Sequence, residues 1–467
     1  MTASIHISPN GLTAIYLLSG VCFILALKAL SSPRTARYGN LVGVAGMVVA
    51  VVATFVVQQP RHDWVIGAGM GLGALVAVPA ARRVPMTAMP QMVAMFNGVG
   101  GAAAAVISLA EYLHDLPLGV PAQKGVAIVF ALVVGCVSFA GSTLAFAKLQ
   151  ELMTGRPVLY PGQQVVNGIL GLAVVVLGVV VVVTPHLVAI TLLAVAALAL
   201  GAGVVLPVGG ADTPVLISLL NSFTGLAVAA DGFVLNNVVL VIAGTLVGAS
   251  GALLTKMMSD AMGRSLPNIL LGGFGAAPAG GAEASAALEG RTVRSGDATD
   301  IGTLLAYSRK VMIVPGYGLA VAQAQHVAVE LARALEARGV EVGYAIHPVA
   351  GRMPGHMNVL LAEADAPYEE LEEMEQANDE FPSTDVALVV GANDVVNPAA
   401  RDDPGSPIYG MPILNVDNAT NVIFLKRSMR PGFSGVDNAL LYDPKTTLLF
   451  GDAKDSLTKL LAAVKTA

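Results

Sequence analysis

A glycine-containing turn around residue 316 has the residue types and the setting of a dinucleotide phosphate-binding loop. The apolar run Val311–Val314 leads into Pro315-Gly316-Tyr317-Gly318-Leu319-Ala320-Val321-Ala322, and a helical pattern follows. Glycine permits a tight bend and lets backbone N–H groups approach a pyrophosphate at the start of a helix. Gly-x-Gly alone is a weak signal, and Val321 stands where the usual fingerprint has its third glycine, but the strand–turn–helix setting is the required one. The candidate cofactor-binding residues of this turn are Gly316, Tyr317, Gly318, Ala320 and Val321.

Cations rather than a carboxylate follow the later predicted strands. The second strand is followed by Gly351-Arg352, where an NAD-binding unit would place an acidic residue for the ribose 2′-hydroxyl. Lys426-Arg427-Ser428 ends a later strand. Because a guanidinium gives paired hydrogen bonds to a phosphate, this pattern predicts NADP(H) rather than NAD(H) as the cofactor. The alternative is that Arg352 and the Lys-Arg pair are solvated surface cations.

A third polar segment, Gly391-Ala392-Asn393-Asp394, follows another strand at the edge where ligands of parallel sheets collect. We expect Gly391, Asn393 and Asp394 to contact the cofactor. Asp394 would accept a hydrogen bond from the nicotinamide side or orient a neighbour, or else only cap a helix. With Tyr317 it forms our pair of candidate catalytic residues. We find no Ser/His/Asp triad and no histidines with metal-ligand spacing, so we expect no metal site.

From about residue 300 onward, short β-rich runs alternate with helical stretches, and these elements position the residues described above. Amphipathic helical stretches occupy 319–337 and 366–380, and the acidic run Glu369–Glu375 is expected to be a solvated helix face. The alternation predicts an α/β domain with a Rossmann-like parallel sheet over residues 291–467. Its predicted strands are Lys310–Val314, Val340–Ile346, Asp385–Val390, Pro412–Val416, Asn421–Lys426 and Thr447–Phe450.

The preceding part of the chain has a different composition. Of the 467 residues, 55% are hydrophobic and 12% are charged, and the mean hydropathy is +0.71, whereas an ordinary soluble domain is about 25% charged. Residues 1–264 hold eleven Lys and Arg against seven Asp and Glu, and residues 265–467 hold fifteen against twenty-five. The acidic second part has too few Lys and Arg side chains to neutralise the many phosphates of a nucleic-acid backbone, so no nucleic-acid partner is expected.

Nine apolar runs long enough to span a bilayer predict a transmembrane domain over residues 1–264. A stretch rich in Gly, Ala and Pro over residues 265–290 predicts a flexible linker. Lys and Arg fall nine times after odd-numbered spans and only twice, at Arg61 and Lys124, after even-numbered ones. This asymmetry predicts a multi-pass plasma-membrane protein with its N-terminus outside and its C-terminal domain in the cytoplasm. The predicted spans are about 9–30, 39–57, 64–81, 86–110, 122–147, 164–184, 187–206, 213–231 and 236–257.

Polar side chains inside the spans are candidates for a proton path because they are costly in lipid unless paired or wetted. Asn97, Ser138 and Asn221 are in this group, while Asp212 opens the eighth span and Arg264 follows the ninth on the same side. Hydrogen bonding to the residue's own helix is the alternative for a lone serine, and helix capping is the alternative for Asp212. The sequence places no ionisable residue near the middle of any span.

The motifs together resemble the β subunit of proton-translocating nicotinamide nucleotide transhydrogenase. The resemblance covers essentially the whole chain, and motifs this long are specific. It rests on Pro315 to Gln325, on His347-Pro348-Val349-Ala350-Gly351-Arg352-Met353-Pro354-Gly355-His356-Met357-Asn358, on Gly391 to Pro398 and on Lys426-Arg427-Ser428-Met429.

The resemblance implies a partner α subunit that supplies an NAD(H)-binding domain and further spans, in an α2β2 assembly. Hydride would pass between the two nicotinamides, coupled to inward proton movement. Gly316, Gly318 and Ala320 would lie at the pyrophosphate, and Asp394 near the bound nucleotide. Asp212 and Arg264 resemble the pair at the cytoplasmic mouth of the channel, and Gly432-Phe433-Ser434-Gly435 the loop that folds over NADP(H). At the 2′-phosphate, the resemblance places Arg352, Lys426, Arg427 and Ser428.

One departure concerns the titrating group of the membrane domain. Some family members have a histidine in the fourth span, where this chain has Asn97, and the eighth-span position that could substitute for it is also an asparagine, Asn221. The hypothesis is that the partner subunit supplies the titrating group and that both asparagines line a wet path. The alternatives to a transhydrogenase are a channel or secondary transporter regulated by an NADP(H)-sensing domain, and a membrane anchor with a vestigial nucleotide fold.

Overall fold

The computed structural model describes residues 9–58, 63–150, 152–153, 158, 160–209, 212–262, 265–271, 292–352, 355–406, 408–432 and 434–467. The chain divides into two compact units, Met1–Thr255 and Lys256–Ala467. Most of the predicted linker lies outside the described residues, apart from a short helix α10 (Leu266–Leu271). The domain boundaries therefore stay a prediction.

In the first unit, the described residues form nine helices that are long and apolar enough to cross a membrane. Each corresponds to one predicted span, so the expectation of a nine-helix bundle is confirmed. The ends of the helices differ from the predicted limits by up to six residues, the largest difference being the start of α2 at Pro33 instead of about residue 39. They are α1 (Pro9–Leu30), α2 (Pro33–Gln58), α3 (Asp63–Arg83), α4 (Met89–Asp115), α5 (Ala122–Leu149), α6 (Gln163–Val183), α7 (Leu187–Val205), α8 (Thr213–Val234) and α9 (Val238–Ala261).

Glycines allow the central helices of this bundle to approach closely. A Cβ on Gly101 of α4 would lie 2.9 Å from the backbone oxygen of Gly135 on α5, and one on Gly225 of α8 would lie 2.5 Å from the backbone nitrogen of Gly248 on α9. Small residues are favoured at such contacts because packing, rather than hydrophobicity, drives helix association in lipid. The close approach of α4 and α5 buries the polar side chains of Asn97, Ser138 and Ser142 between these two helices.

Lys148 shows how one end of this bundle is closed. It is one of the nine cations predicted to follow odd-numbered spans, but it lies in the last turn of α5 and is buried. Its Nζ donates to the backbone oxygens of Val205, Leu206 and Val208, at 3.0, 2.6 and 2.8 Å. These carbonyls lie at the last residue of α7 and just beyond it. Val205 O and Leu206 O also accept from Val208 N and Val158 N, so the cation adds to these bonds and complements the helix dipole.

The second unit is built on one parallel six-stranded sheet in the order β3-β2-β1-β4-β5-β6. Successive residues of β1 alternate between two hydrophobic cores, with Val311 and Ile313 in one and Met312 and Val314 in the other. Both faces are covered by helices, so the predicted Rossmann-like fold is confirmed. The strands are β1 (Lys310–Pro315), β2 (Glu341–Ile346), β3 (Leu371–Glu373), β4 (Val386–Val390), β5 (Asn421–Lys426) and β6 (Thr446–Phe450). The helices are α11 (Ala298–Ala306), α12 (Tyr317–Val321), α13 (Gln325–Glu336), α14 (His356–Glu363), α15 (Met374–Glu380), α16 (Ala399–Asp402) and α17 (Ala453–Thr466).

Three predicted elements of this unit differ in the structure. The segment Pro412–Val416 forms no strand: Pro412 has no N–H, and the N–H of Leu414 donates to Val395 O instead of a ladder partner. The helix predicted over 366–380 is interrupted by β3, which pairs with β2. As a result Glu372 is buried rather than on a solvated helix face.

The helix predicted over 319–337 is also broken. Gln323 has φ +49°, a left-handed conformation, and separates α12 from α13. The N–H of Gln323 donates to Ala320 O and that of Ala324 to Leu319 O. These two bonds form the closing motif that ends many helices. The dinucleotide turn is thus followed by a single helical turn rather than by one long helix.

Candidate dinucleotide site

The glycine turn lies at the centre of the sheet, beside the end of β4. Gly316 N donates to Val390 O and Gly318 N to Gly391 O, both at 2.9 Å. A Cβ on Gly318 would lie 2.7 Å from the Cα of Gly391, and Gly391 itself has φ +71°. β1 and β4 are the neighbours at which the strand order reverses, which is where sheets of this topology bind dinucleotides. The structure therefore requires glycine at this crevice.

The two remaining residues of the turn differ in exposure. The Ala320 side chain is buried in the core, whereas Val321 is 47% exposed. Ala320 can therefore offer only its backbone to a ligand. Val321 does not fill the space between helix and sheet that the third glycine of the fingerprint usually keeps free.

Arg352 lies with Tyr317 and His356 at the end of β2. The Arg352 guanidinium carbon is 4.8 Å from the centre of the Tyr317 ring, and that ring is 6.3 Å from the His356 ring. Arg352 N donates to His356 Nδ1 at 3.0 Å. Burial, assisted by the Arg352 charge, lowers the pKa of His356. The imidazole is therefore neutral with its proton on Nε2, a buried atom that has no hydrogen-bond partner among the described residues.

Asp394 belongs to a second cluster, at the ends of β4 and β5. Asn393 Nδ2 donates to Asp394 Oδ1 at 3.0 Å, and Lys426 Nζ donates to Asn393 Oδ1 at 2.9 Å. Burial lowers the pKa of the Lys426 ammonium, and the nearby carboxylates of Asp394 and Asp437 oppose this shift. The candidate residues Asn393, Asp394 and Lys426 are thus brought together, with the ammonium already oriented.

The loop after β5 is held over this cluster. Ser434 N donates to Asp394 Oδ2 at 2.8 Å, and a Cβ on Gly432 would clash with Asp394 Oδ1. Asp394 therefore anchors the loop instead of only capping a helix. Phe433 lies outside the described residues. Arg427 and Ser428, at the start of the loop, are exposed, so the second cation of the Lys-Arg pair faces solvent.

Asn97 is the centre of a hydrogen-bonded cluster between α4, α5 and α8. Its Nδ2 donates to Ser142 Oγ at 2.8 Å and to Ser138 Oγ at 3.3 Å. Ser138 Oγ is 2.6 Å from Thr224 Oγ1. Asn221 is half-buried and does not belong to this cluster. The structure thus joins Asn97 to Ser138 but not to Asn221.

Asp212 occupies the residue before α8 and is 7% exposed. Its side chain makes no capping hydrogen bond to the first turn of that helix. The predicted pairing with Arg264 concerns a residue outside the described part of the chain.

Two residues of interest were missed by sequence reasoning. His356 stands in the motif His347 to Asn358 but received no predicted role, because its spacing of four residues from Arg352 gives no signal of their contact. Asp231 had been placed at the boundary of the eighth span, but α8 continues to Val234 and buries it. Within the described ranges, no group of three or more His, Cys, Asp or Glu side chains could hold a metal ion.

Nine long apolar helices and a parallel sheet of the 3-2-1-4-5-6 order define a class: multi-span membrane proteins with a dinucleotide-binding type of domain. The sequence model for the family described as NAD(P) transhydrogenase beta subunit matches residues 12–463. The NAD(P) transhydrogenase subunit beta of Rhodospirillum rubrum is 47% identical over 458 residues, which cover 97% of this chain and 98% of that protein, and a named strain of the species gives the same figures. The chain belongs to the NAD(P) transhydrogenase beta subunit family. Membership implies an oxidoreductase role, use of NADP(H) and an alpha subunit as partner.

Proposed function

We propose that this chain is the NADP(H)-binding membrane subunit of a proton-translocating transhydrogenase. The observation that carries the proposal is the β1–β4 crevice, which only glycine fits, flanked by cations instead of the carboxylate that NAD would require. When bound, NADP(H) supplies a nicotinamide that accepts or donates a hydride, and NAD(H) on the alpha subunit is its counterpart.

The residues present fit a phosphorylated dinucleotide. Glycine at 316 and 318 lets the turn pack directly against the backbone of residues 391 and 392, which holds the start of α12 at the crevice where a pyrophosphate would bind. Lys426, Arg427 and Ser428 would hold the 2′-phosphate. Arg352 adds a guanidinium at the end of β2, and the His356 Nε2–H beside it, which has no hydrogen-bond partner among the described residues, would be a donor for the ligand.

Asp394 and Tyr317 would position the cofactor. Asp394 accepts hydrogen bonds from Asn393 and from the loop at Ser434, so it links the base of the site to the segment that covers it. Tyr317 places its ring beside the Arg352 guanidinium, a contact that restrains both side chains. The Asp394–Ser434 contact holds the loop over the β4 end of the site, where it would shield a bound nicotinamide from water.

The membrane unit would conduct the coupled proton inward. Its path would run along Asn97 and Ser138, with Asn221 nearby and with Asp212 and Arg264 at the cytoplasmic mouth. The enzyme would be an α2β2 assembly in the inner membrane, with the N-terminus of this chain outside and its nucleotide domain in the cytoplasm. The excess of Lys and Arg after odd-numbered spans supports this orientation.

The driving force is sufficient for such coupling. One charge crossing about 150 mV releases about 3.5 kcal/mol. Since each 1.4 kcal/mol changes an equilibrium tenfold, this shifts the NADPH/NADP⁺ ratio by a factor of more than about 100. Coupling requires that the soluble domain bind the two redox forms with different affinities in two states of the membrane domain.

The test uses everted membranes that contain this chain and its alpha subunit. We expect NADH to reduce a thionicotinamide analogue of NADP⁺, faster when a proton gradient is imposed, and an uncoupler to abolish the increase. NADP(H) binding with no hydride exchange would overturn the proposal and favour the alternative of a channel or transporter with an NADP(H)-sensing domain.

A further inference from the structure

Asp231 is a buried carboxylate that the proposed function leaves without a role. It lies in the last turn of α8 and is 1% exposed. Ser108 of α4, which is fully buried, donates to Asp231 Oδ1 at 2.6 Å. Oδ2 is also buried and has no hydrogen-bond partner among the described residues. One oxygen of the carboxyl group is thus fixed, and the other has no partner.

Within the part of the chain that the structure describes, no Lys, Arg or His forms an ion pair with Asp231. A carboxylate inside a membrane protein is costly without a cation or water, whereas the neutral acid is not. Binding of a proton at Oδ2 therefore removes the cost while keeping the Ser108 bond at Oδ1. The arrangement is a site for one exchangeable proton.

The Asp231–Ser108 pair is aligned with the Asn97 cluster. On α4, Ser108 follows Asn97 by eleven residues, which is three turns or about 16 Å along the same helix face. On α8, Asp231 follows Thr224 by seven residues, which is two turns or about 10 Å along the same face. Both polar groups therefore lie on one α4–α8 interface, one above the other.

Asp212 immediately precedes α8 and Asp231 lies in its last turn, so the two carboxylates mark opposite ends of this helix. They are nineteen residues apart on α8, or about 28 Å, close to the thickness of a hydrocarbon core. In the proposed orientation Asp231 lies toward the outside and Asp212 toward the cytoplasm. The other charged and titratable groups that the structure describes at the Asp231 end are Glu111 and Asp115 of α4, both paired with Lys124 of α5 at 2.9 and 2.6 Å, together with Tyr112, His114 and His186.

We propose that Asp231 is the proton-binding group on the outer side of the proton path in this chain. Protons would enter at Asp231, pass the Asn97 cluster and leave toward Asp212. The carboxylate takes up one proton from the outer side to form the acid, then releases it inward, with Ser108 holding the carboxyl group in one orientation. The proposal rests on the proposed function and gives this chain a titrating group of its own, beside any that the alpha subunit supplies.

The experiment compares Asp231→Asn with the unchanged chain, each assembled with its alpha subunit in everted vesicles. Asparagine keeps the volume and the Ser108 contact but binds no proton in this range. We expect proton pumping and NADPH-forming turnover to fall by about 100-fold, the loss typical of removing a positioned proton-transfer group. Hydride exchange between NADH and an NAD⁺ analogue through bound NADP(H), which moves no net proton, should be kept.

Two further variants separate the role of Asp231 from a structural one. Asp231→Glu should restore part of the pumping, and Asp260→Asn, which removes an exposed carboxylate of α9 that pairs with Lys256, should pump normally. Pumping at the normal rate by Asp231→Asn would overturn the proposal. If the unchanged complex neither exchanges hydride nor pumps, the proposed function itself fails.

Infrared difference spectra of the whole complex between low and high pH supply a readout that does not depend on turnover. We expect a carboxylic acid C=O band that shifts in Asp231→Glu and disappears in Asp231→Asn. If Asp231→Asn abolishes every activity, the infrared band still tests the proposal. A band that shifts in Asp231→Glu supports it. Spectra that are the same in all three proteins would overturn it.

Discussion

At the scale of single residues, His347 is a neutral histidine fixed in one tautomer. It is 1% exposed, its Nε2 lies 2.8 Å from Pro412 O, and its Nδ1 accepts from Val349 N at 3.2 Å. Burial lowers its pKa to about 4. A second proton would have to bind to Nδ1, which accepts the hydrogen bond from Val349 N and could no longer do so once protonated. Protonation of His347 therefore destabilises the folded state.

This predicts that His347 makes the second unit, Lys256–Ala467 (called the soluble unit below), less stable as pH falls. Between about pH 6.5 and pH 4 the unfolded chain binds the proton and the folded chain does not, so the free energy of unfolding rises with pH in that window. The contribution lost between pH 7 and pH 5 is about 2 kcal/mol. We expect His347→Gln to remove this part of the pH dependence, measured by pulse proteolysis of the full chain in urea.

His326→Gln is the matched control, since His326 is exposed. Glu372, whose pKa burial raises to about 7, contributes a slope of the opposite sign and is unchanged in both variants. The same pH slope in His347→Gln and in the unchanged chain would contradict the prediction.

At the scale of elements, the left-handed Gln323 that ends α12 limits the stability of the site. A non-glycine residue in this conformation costs about 1–2 kcal/mol, and the Gln323 side chain is exposed. Gln323→Gly should therefore raise the free energy of unfolding of the soluble unit by about 1 kcal/mol, and Gln323→Ile should lower it. Urea unfolding of the full chain measures both. A loss of stability in Gln323→Gly would show that the side chain makes contacts that outweigh the strain.

The polar cluster between α4, α5 and α8 gives a second prediction at this scale. Asn97→Leu removes the amide that donates to Ser138 and Ser142, and a buried group left unpaired costs about 1–3 kcal/mol. We expect proton pumping by the assembled enzyme to fall about tenfold or more, with a smaller effect from Asn221→Leu. Dye-reported acidification of everted vesicles measures both. Normal pumping by Asn97→Leu would remove that residue from the path.

The sequence predicts correctly those elements whose pattern lies within a single continuous stretch of residues. Nine apolar runs became nine helices, because a span needs about twenty apolar residues wherever it lies. The acidic run that contains β3 does not predict a strand, because β3 forms only through its pairing with β2. The extended segment Pro412–Val416 has strand-like residues but no partner strand in the structure. Contacts between distant segments, such as Ser434 with Asp394 or Ser108 with Asp231, have no signature in residue spacing.

At the scale of the whole molecule, the two units divide the work of the proposed enzyme. The soluble unit carries the cations and the glycine crevice, whereas the membrane unit carries a polar interface in an apolar bundle. In the family, the alpha subunit is the implied partner of this chain. The central claim is that the edge of the sheet selects the phosphorylated coenzyme, since without that selection no difference between the two nucleotides can be coupled to protons.

The most direct test is calorimetric titration of the full chain with NADPH and with NADH. The 2′-phosphate should add at least two hydrogen bonds to charged groups, about 3 kcal/mol together, so we predict that NADPH binds about 100-fold more tightly than NADH. Lys426→Glu with Arg427→Glu should abolish the difference, and Lys459→Glu, an exposed charge reversal on α17, should keep it. Equal affinities in the unchanged chain, or a preference that survives the double reversal, would contradict the account.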